Sequence, residues 1–134
     1  MKPRLLLLFA TLLMVSYAAT AHDTDNKVNR KILTTTALPN LPAQSLTSVT
    51  IELQPGISVP SHYHGGFVFV YVISGAVLSQ LNQEAAVVYY AGDSWIEKPG
   101  DQHSLTKNIS DVESAKILAV IVAKNGAKRQ ISTK

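Results

Sequence analysis

The sequence contains no cysteine. That excludes a disulfide-stapled scaffold, a thiolate metal site, an iron–sulfur cluster and a cysteine nucleophile. Arginine is nearly as scarce. Beyond Arg4 there are only Arg30 and Arg129, one towards each end of the chain. Arginine is the usual bidentate partner of phosphate and carboxylate. Phosphates and dicarboxylates are therefore not expected as substrates, although Lys98 or Lys107 could give a point charge. The sequence pI is 9.2, yet no cluster of basic residues is present to track a nucleic-acid backbone, so no nucleic-acid partner is expected. There is no phosphate-binding loop, no Ser-His-Asp arrangement and no paired-carboxylate signal. No segment offers a capped amphipathic helix, and there is no internal repeat or low-complexity tract.

The long apolar run that does occur is too short for a membrane anchor. Leu5–Val15 is eleven residues, or about 16 Å as a helix, against roughly 30 Å of hydrocarbon. Lys2 and Arg4 precede it, and Ala19-Thr20-Ala21 follows with a small-x-small cleavage pattern. Residues 1–21 thus read as a signal peptide, and export to the periplasm or outside the cell is expected, with no membrane attachment after cleavage. The mature chain would have 113 residues and begin at His22, with a formal charge of +1 instead of +3 once Lys2 and Arg4 are removed. That length supports one domain. Residues 22–30 read as a flexible polar segment, residues 31–123 as the domain, and residues 124–134 (KNGAKRQISTK) as a basic polar tail that frays.

The body alternates short apolar stretches with turn residues. Leu46–Leu53 places Val49, Ile51 and Leu53 on one face, as in a half-buried strand. Pro55-Gly56, Gly65-Gly66, Ser74-Gly75, Ala91-Gly92-Asp93 and Lys98-Pro99-Gly100-Asp101 punctuate the rest. Phe67–Ile73 (FVFVYVI) and Ala115–Ala123 (AKILAVIVA) are apolar on both faces, as expected for strands enclosed on two sides. The pattern predicts an all-β sandwich or barrel. Phe67, Phe69, Tyr71, Tyr89, Tyr90 and Trp95 are expected mainly in the barrel core. Asn108-Ile109-Ser110 has the form of a glycosylation sequon, but a structural role for Asn108 is favoured.

Three histidines carry the chemistry. His62 and His64 are two apart, so on a strand both rings leave the same face, with Cα atoms about 6.6 Å apart. Two imidazoles so placed can converge on one cation. His103 follows its own turn, Pro99-Gly100-Asp101-Gln102. Tyr63, between the first two histidines, points to the opposite face.

Gly56-Ile57-Ser58-Val59-Pro60-Ser61-His62-Tyr63-His64, with Gly75 as the closing glycine, resembles the first cupin motif. Gly92-Asp93 through Pro99-Gly100-Asp101-Gln102-His103, followed by Asn108, resembles the second, with Pro99 and Asn108 each one residue late. The two motifs and their strands span Leu46–Val122. The resemblance implies a single-domain antiparallel β-barrel of the cupin jelly-roll type. It also implies a divalent transition metal (iron, manganese, zinc, nickel or copper) held by His62, His64 and His103 inside the barrel.

The chain departs from the family pattern at one ligand. The first motif usually carries a glutamate where this sequence has Val68, and Phe69 cannot substitute. A neutral three-histidine site is one reading, as in cupin dioxygenases for thiols and diketones. Recruitment of Gln80 or Glu97 as a fourth ligand is another, and a metal-free pocket is a third. The resulting expectation is a metal-dependent dioxygenase or related oxidoreductase on a small, weakly polar substrate. The alternative is a non-catalytic cupin that captures a ligand or metal. Either could assemble as a homodimer through a sheet face.

Overall fold

A computed structural model of the chain describes residues 27–133; the expected leader at 1–21 lies outside them. Eleven strands account for the regular structure: β1 (Val28–Ala37), β2 (Gln44–Leu53), β3 (Ser58–Val59), β4 (His62–Tyr63), β5 (Gly66–Ser74), β6 (Ala76–Leu81), β7 (Val87–Tyr90), β8 (Ser94–Glu97), β9 (Gln102–Asn108), β10 (Ala115–Lys124) and β11 (Ile131–Ser132). They form two antiparallel sheets. One has five strands in the order β1-β2-β10-β5-β8. The other has six, running β11-β4-β9-β6-β7 with β3 also paired to β9. The sequence neighbours β5 and β6 lie in different sheets, as in a jelly roll.

Period-two alternation decides what enters the barrel. Val49 and Leu53 of β2, Val68, Val70 and Val72 of β5, Val77 of β6 and Ile117, Ala119 and Ile121 of β10 form one buried cluster. Each fully buried valine contributes roughly 2 kcal/mol of apolar transfer energy. β5 turns out opposite to its aromatic-core expectation. Its valines point in, while Phe67, Phe69, Tyr71 and Ile73 point out and are exposed. Tyr90 is exposed as well. Of the aromatics expected in the core, only Trp95 is buried, with Tyr89 packed partly against it. The narrow interior favours the smaller side chain on a strand whose two faces are equally apolar.

The ends of the domain also differ from expectation. β1 begins at Val28, inside the segment read as flexible, because its backbone pairs with β2 over nearly its full length. The tail is docked by β11, which pairs Ile131 with Tyr63 and Ser132 with His62. Gly75 links the sheets at φ 75°. A Cβ there would sit 2.9 Å from Ala115 Cα, so both the turn and the close approach require glycine.

Asn108 closes one end of the barrel. It is fully buried, and its Nδ2 donates to the carbonyls of Leu53 (3.1 Å), Gln54 (3.1 Å) and Glu113 (2.8 Å). Its Oδ1 accepts from Ser110 N–H at 3.0 Å. The sequon asparagine is thus a structural clamp between the two sheets.

Candidate metal centre

The three histidines converge. β4 carries His62, and the loop after it carries His64. β9 places His103 directly opposite His62 in the ladder. Their ring centroids are 4.9 Å apart for His62–His64 and 5.2 Å for His62–His103. One ligand atom from each lies within 4.8 Å of the others.

Each of the first two rings is oriented by a backbone carbonyl. His62 Nδ1–H donates to Pro60 O at 2.8 Å, and His64 Nδ1–H donates to Arg129 O in the C-terminal segment. A carbonyl can only accept, so both Nδ1 atoms carry protons and both Nε2 atoms are left to face the cluster. This is the usual outer-shell arrangement of a metal-ligating imidazole. Burial lowers His62 to a pKa of about 4, against a raising contribution from the Pro60 bond. The ring is therefore neutral at physiological pH.

Glu97 enters the same cluster. It lies on β8, where it is the register partner of Val68. Its Oε1 lies 3.0 Å from His103 Nδ1 and accepts from the Trp95 indole N–H at 3.1 Å. Its Oε2 is buried, has no hydrogen-bond partner among the described residues, and lies 3.4 Å from His64 Nε2. Burial tends to raise the Glu97 pKa. The His103 bond, the charges of His103 and His64 and the Trp95 bond outweigh that and hold the carboxyl below its ordinary value. Glu97 Oε2 and His64 Nε2 thus face each other across the cluster, with the carboxylate oxygen buried. A divalent cation shared by the carboxylate and the imidazoles would satisfy both, so these residues fit the metal that the fold family implies.

The other possible ligand, Gln80, is not brought to the site. On β6 it is Ser79 that points inward, with Oγ 2.8 Å from His103 Nε2. Gln80 is on the opposite face and donates from Nε2 to Glu84 O at 2.7 Å. Thr106 Oγ1 adds a second contact to His103 Nε2 at 2.9 Å. On an unbroken strand the i+3 spacing would put Thr106 on the face opposite His103; the register shift between Gln80 and Leu81, opposite Leu105 and His103, lets both face inward. The turn before His103 is also tied down. Asn82 Nδ2–H and Lys98 N–H donate to Asp101 at 3.0 and 2.8 Å and lower its pKa.

The cluster opens into a cavity of about 770 Å³ whose lining includes all three histidines, Glu97 and Trp95. That volume is in the range of small-molecule sites.

The Cupin domain family matches residues 49–121. The chain belongs to the cupin family. Several solved structures share the fold. KdgF from Halomonas sp. is 19% identical, with 78% of this chain and 86% of that chain covered and a TM-score of 0.61. The DMSP lyase DddQ from Ruegeria pomeroyi is 14% identical, with a TM-score of 0.68 over 91% of this chain and 59% of that one. The polyketide cyclase RemF from Streptomyces resistomycificus is 16% identical, with a TM-score of 0.61 over 81% and 72%. At these identities the likeness concerns the fold. No curated protein matches the cupin chain in sequence.

Proposed function

We propose that this cupin is a metal-dependent enzyme acting on a small organic molecule, with His62, His64, His103 and Glu97 holding one divalent transition metal. The observation that carries the reading is the buried Glu97 Oε2, which has no hydrogen-bond partner among the described residues and lies 3.4 Å from His64 Nε2 within the histidine cluster. The bound metal would supply Lewis-acid polarisation of a substrate oxygen, or a site for oxygen chemistry. The chain's own residues divide the remaining work. Pro60 O and Arg129 O fix the tautomers of His62 and His64. Ser79 and Thr106 hold the His103 ring. The valine-lined wall offers the substrate an apolar surface.

The neutral three-histidine reading rested on the lack of a carboxylate, and Glu97 provides one. Dioxygenase chemistry is one reaction class open to the site. Elimination or cyclisation without net redox change is another, in keeping with the lyase and the cyclase that share the fold. Among the described residues no additional carboxylate or histidine lines the cavity beside the cluster, which favours the second reading, a non-catalytic ligand-binding cupin. The leader-like residues 1–21 support export, and the mature protein is expected to begin at His22.

Elemental analysis of protein purified from its native compartment tests the metal. About one transition metal per chain, lost in His103→Ala, is expected. Metal content unchanged in that variant rejects the assignment. Turnover of a metabolite panel, with oxygen uptake recorded in parallel, then separates the catalytic classes from stoichiometric capture.

A further inference from the structure

Both arginines outside the leader, one on the first strand and one just before the last, line the cavity. Arg30 lies opposite Ile51 on the β1–β2 ladder, as Ile32 lies opposite Val49. Directly opposed residues share a sheet face, and Ile51 and Val49 are both cavity residues. Arg30 therefore projects to the cavity side. Arg129 arrives from the other end of the chain. After the turn at Asn125-Gly126, residues 126–130 cross the cavity to reach β11. Two bonds moor this strap: Gly65 N–H to Lys128 O at 3.3 Å, and His64 Nδ1–H to Arg129 O. Lys124 and Lys128 complete a set of four cationic residues around one opening.

These charges are not balanced locally. Glu97 is the only acidic residue among those lining the cavity, and it is engaged with His64 and His103. None of the four cations forms an ion pair with a carboxylate of the described residues. Gathering like charges at one mouth raises their mutual repulsion, and an anion relieves it. The same cavity is walled by Val49, Ile51, Ile117 and Ile121, which suit an apolar body and not a bare inorganic ion.

We propose that the cavity binds an organic carboxylate, its acid group held by Arg30 and the strap cations and its apolar body against the valine and isoleucine wall. This rests on the reading of the cavity as the functional site, but the charge preference is built by residues other than the metal cluster. The scarcity of arginine thus acquires the opposite meaning from the one the sequence suggested. Both arginines lie near the ends of the chain, and the fold brings both to one opening.

The test uses 3-phenylpropionate and its uncharged amide, titrated into the full chain with and without EDTA treatment. Trp95, the sole tryptophan and a cavity residue, reports binding by its emission, and calorimetry checks it. The acid is expected to bind at least tenfold more tightly than the amide in both preparations, and inorganic phosphate more weakly than the acid. In Arg30→Gln/Arg129→Gln the acid's advantage should fall to within about twofold, while the amide still binds. Arg30→Lys/Arg129→Lys should keep most of it. Equal affinity for acid and amide, failure of either to bind, or full discrimination by the glutamine variant overturns the proposal. Acid preference that vanishes only on metal removal places the carboxylate on the metal and also overturns it, leaving the metal reading intact. Acid preference in a protein that binds no metal sustains this inference and rejects the metal one.

Discussion

Val68 and Glu97 are cross-strand partners in the β5–β8 ladder, and both side chains are almost completely buried. The usual ligand position of the first motif is therefore empty of carboxylate, but the neighbouring strand supplies one on the same face. Glu97→Gln removes the anionic charge while keeping the size. It is expected to lower metal affinity at least tenfold, read by metal titration with Trp95 quenching. Val68→Glu/Glu97→Gln returns a carboxylate through the other strand and should recover part of that loss. If Glu97→Gln leaves metal affinity unchanged, Glu97 is not a ligand.

The two histidine motifs were legible because their spacing is local: a pair two residues apart, and a third after a turn. Glu97 was legible as a residue but not as a neighbour of Val68, since strand register is set by distant pairing. The same limit hid Arg30 and Arg129. β1 reads VNRKILTTTA, with little alternation to mark an inner face, and the tail reads as polar. Only their pairing with β2 and β4 brings them to the cavity. The inversion of β5 has another cause. Valine and aromatic residues alternate along it, and hydrophobicity alone does not say which set enters a narrow barrel.

Acid should destabilise the metal-free protein in a defined window. Burial lowers the folded His62 pKa from 6.5 to about 4. Between those values the unfolded chain takes up a proton that the folded ring resists. This cost is absent above about pH 6.5, grows as pH falls, and is complete near pH 4. Glu97 acts in the same direction at lower pH. Its folded carboxyl is held below 4.5, so its contribution is present above that value and lost as pH falls through the folded pKa. Urea midpoints of EDTA-treated protein should therefore decline from pH 7 to pH 4.5, with a shallower decline in His62→Asn. Equal slopes for the two proteins would show that His62 is not the source.

Asn108 is expected to be among the most sensitive structural positions. Asn108→Ala leaves three buried or half-buried carbonyls without its amide donor and frees Ser110 N–H. Unsatisfied groups of this kind typically cost about 1–3 kcal/mol each, with water recovering part of the loss at the half-buried ones. A net loss of about 2–4 kcal/mol is expected by urea denaturation. Asn108→Asp should be no better, because a carboxylate only accepts and would face the same carbonyls. A loss below about 1 kcal/mol for the alanine variant would refute the clamp.

The outer face of the five-stranded sheet points to self-association. Phe69 and Ile96 are register partners across β5 and β8, and both face outward. Phe67, Tyr71 and Ile73 continue the same face along β5, each 39–43% exposed. Apolar surface gathered in this way is uncommon on a monomer and marks an interaction site. We propose that a second copy covers it, since one two-fold axis lets the same five side chains meet their equivalents. Light scattering at tens of micromolar should give the mass of a dimer. Phe69→Glu/Ile96→Lys should give a monomer with unchanged metal content, because neither side chain faces the histidines. A wild-type mass equal to one chain at that concentration rules the dimer out.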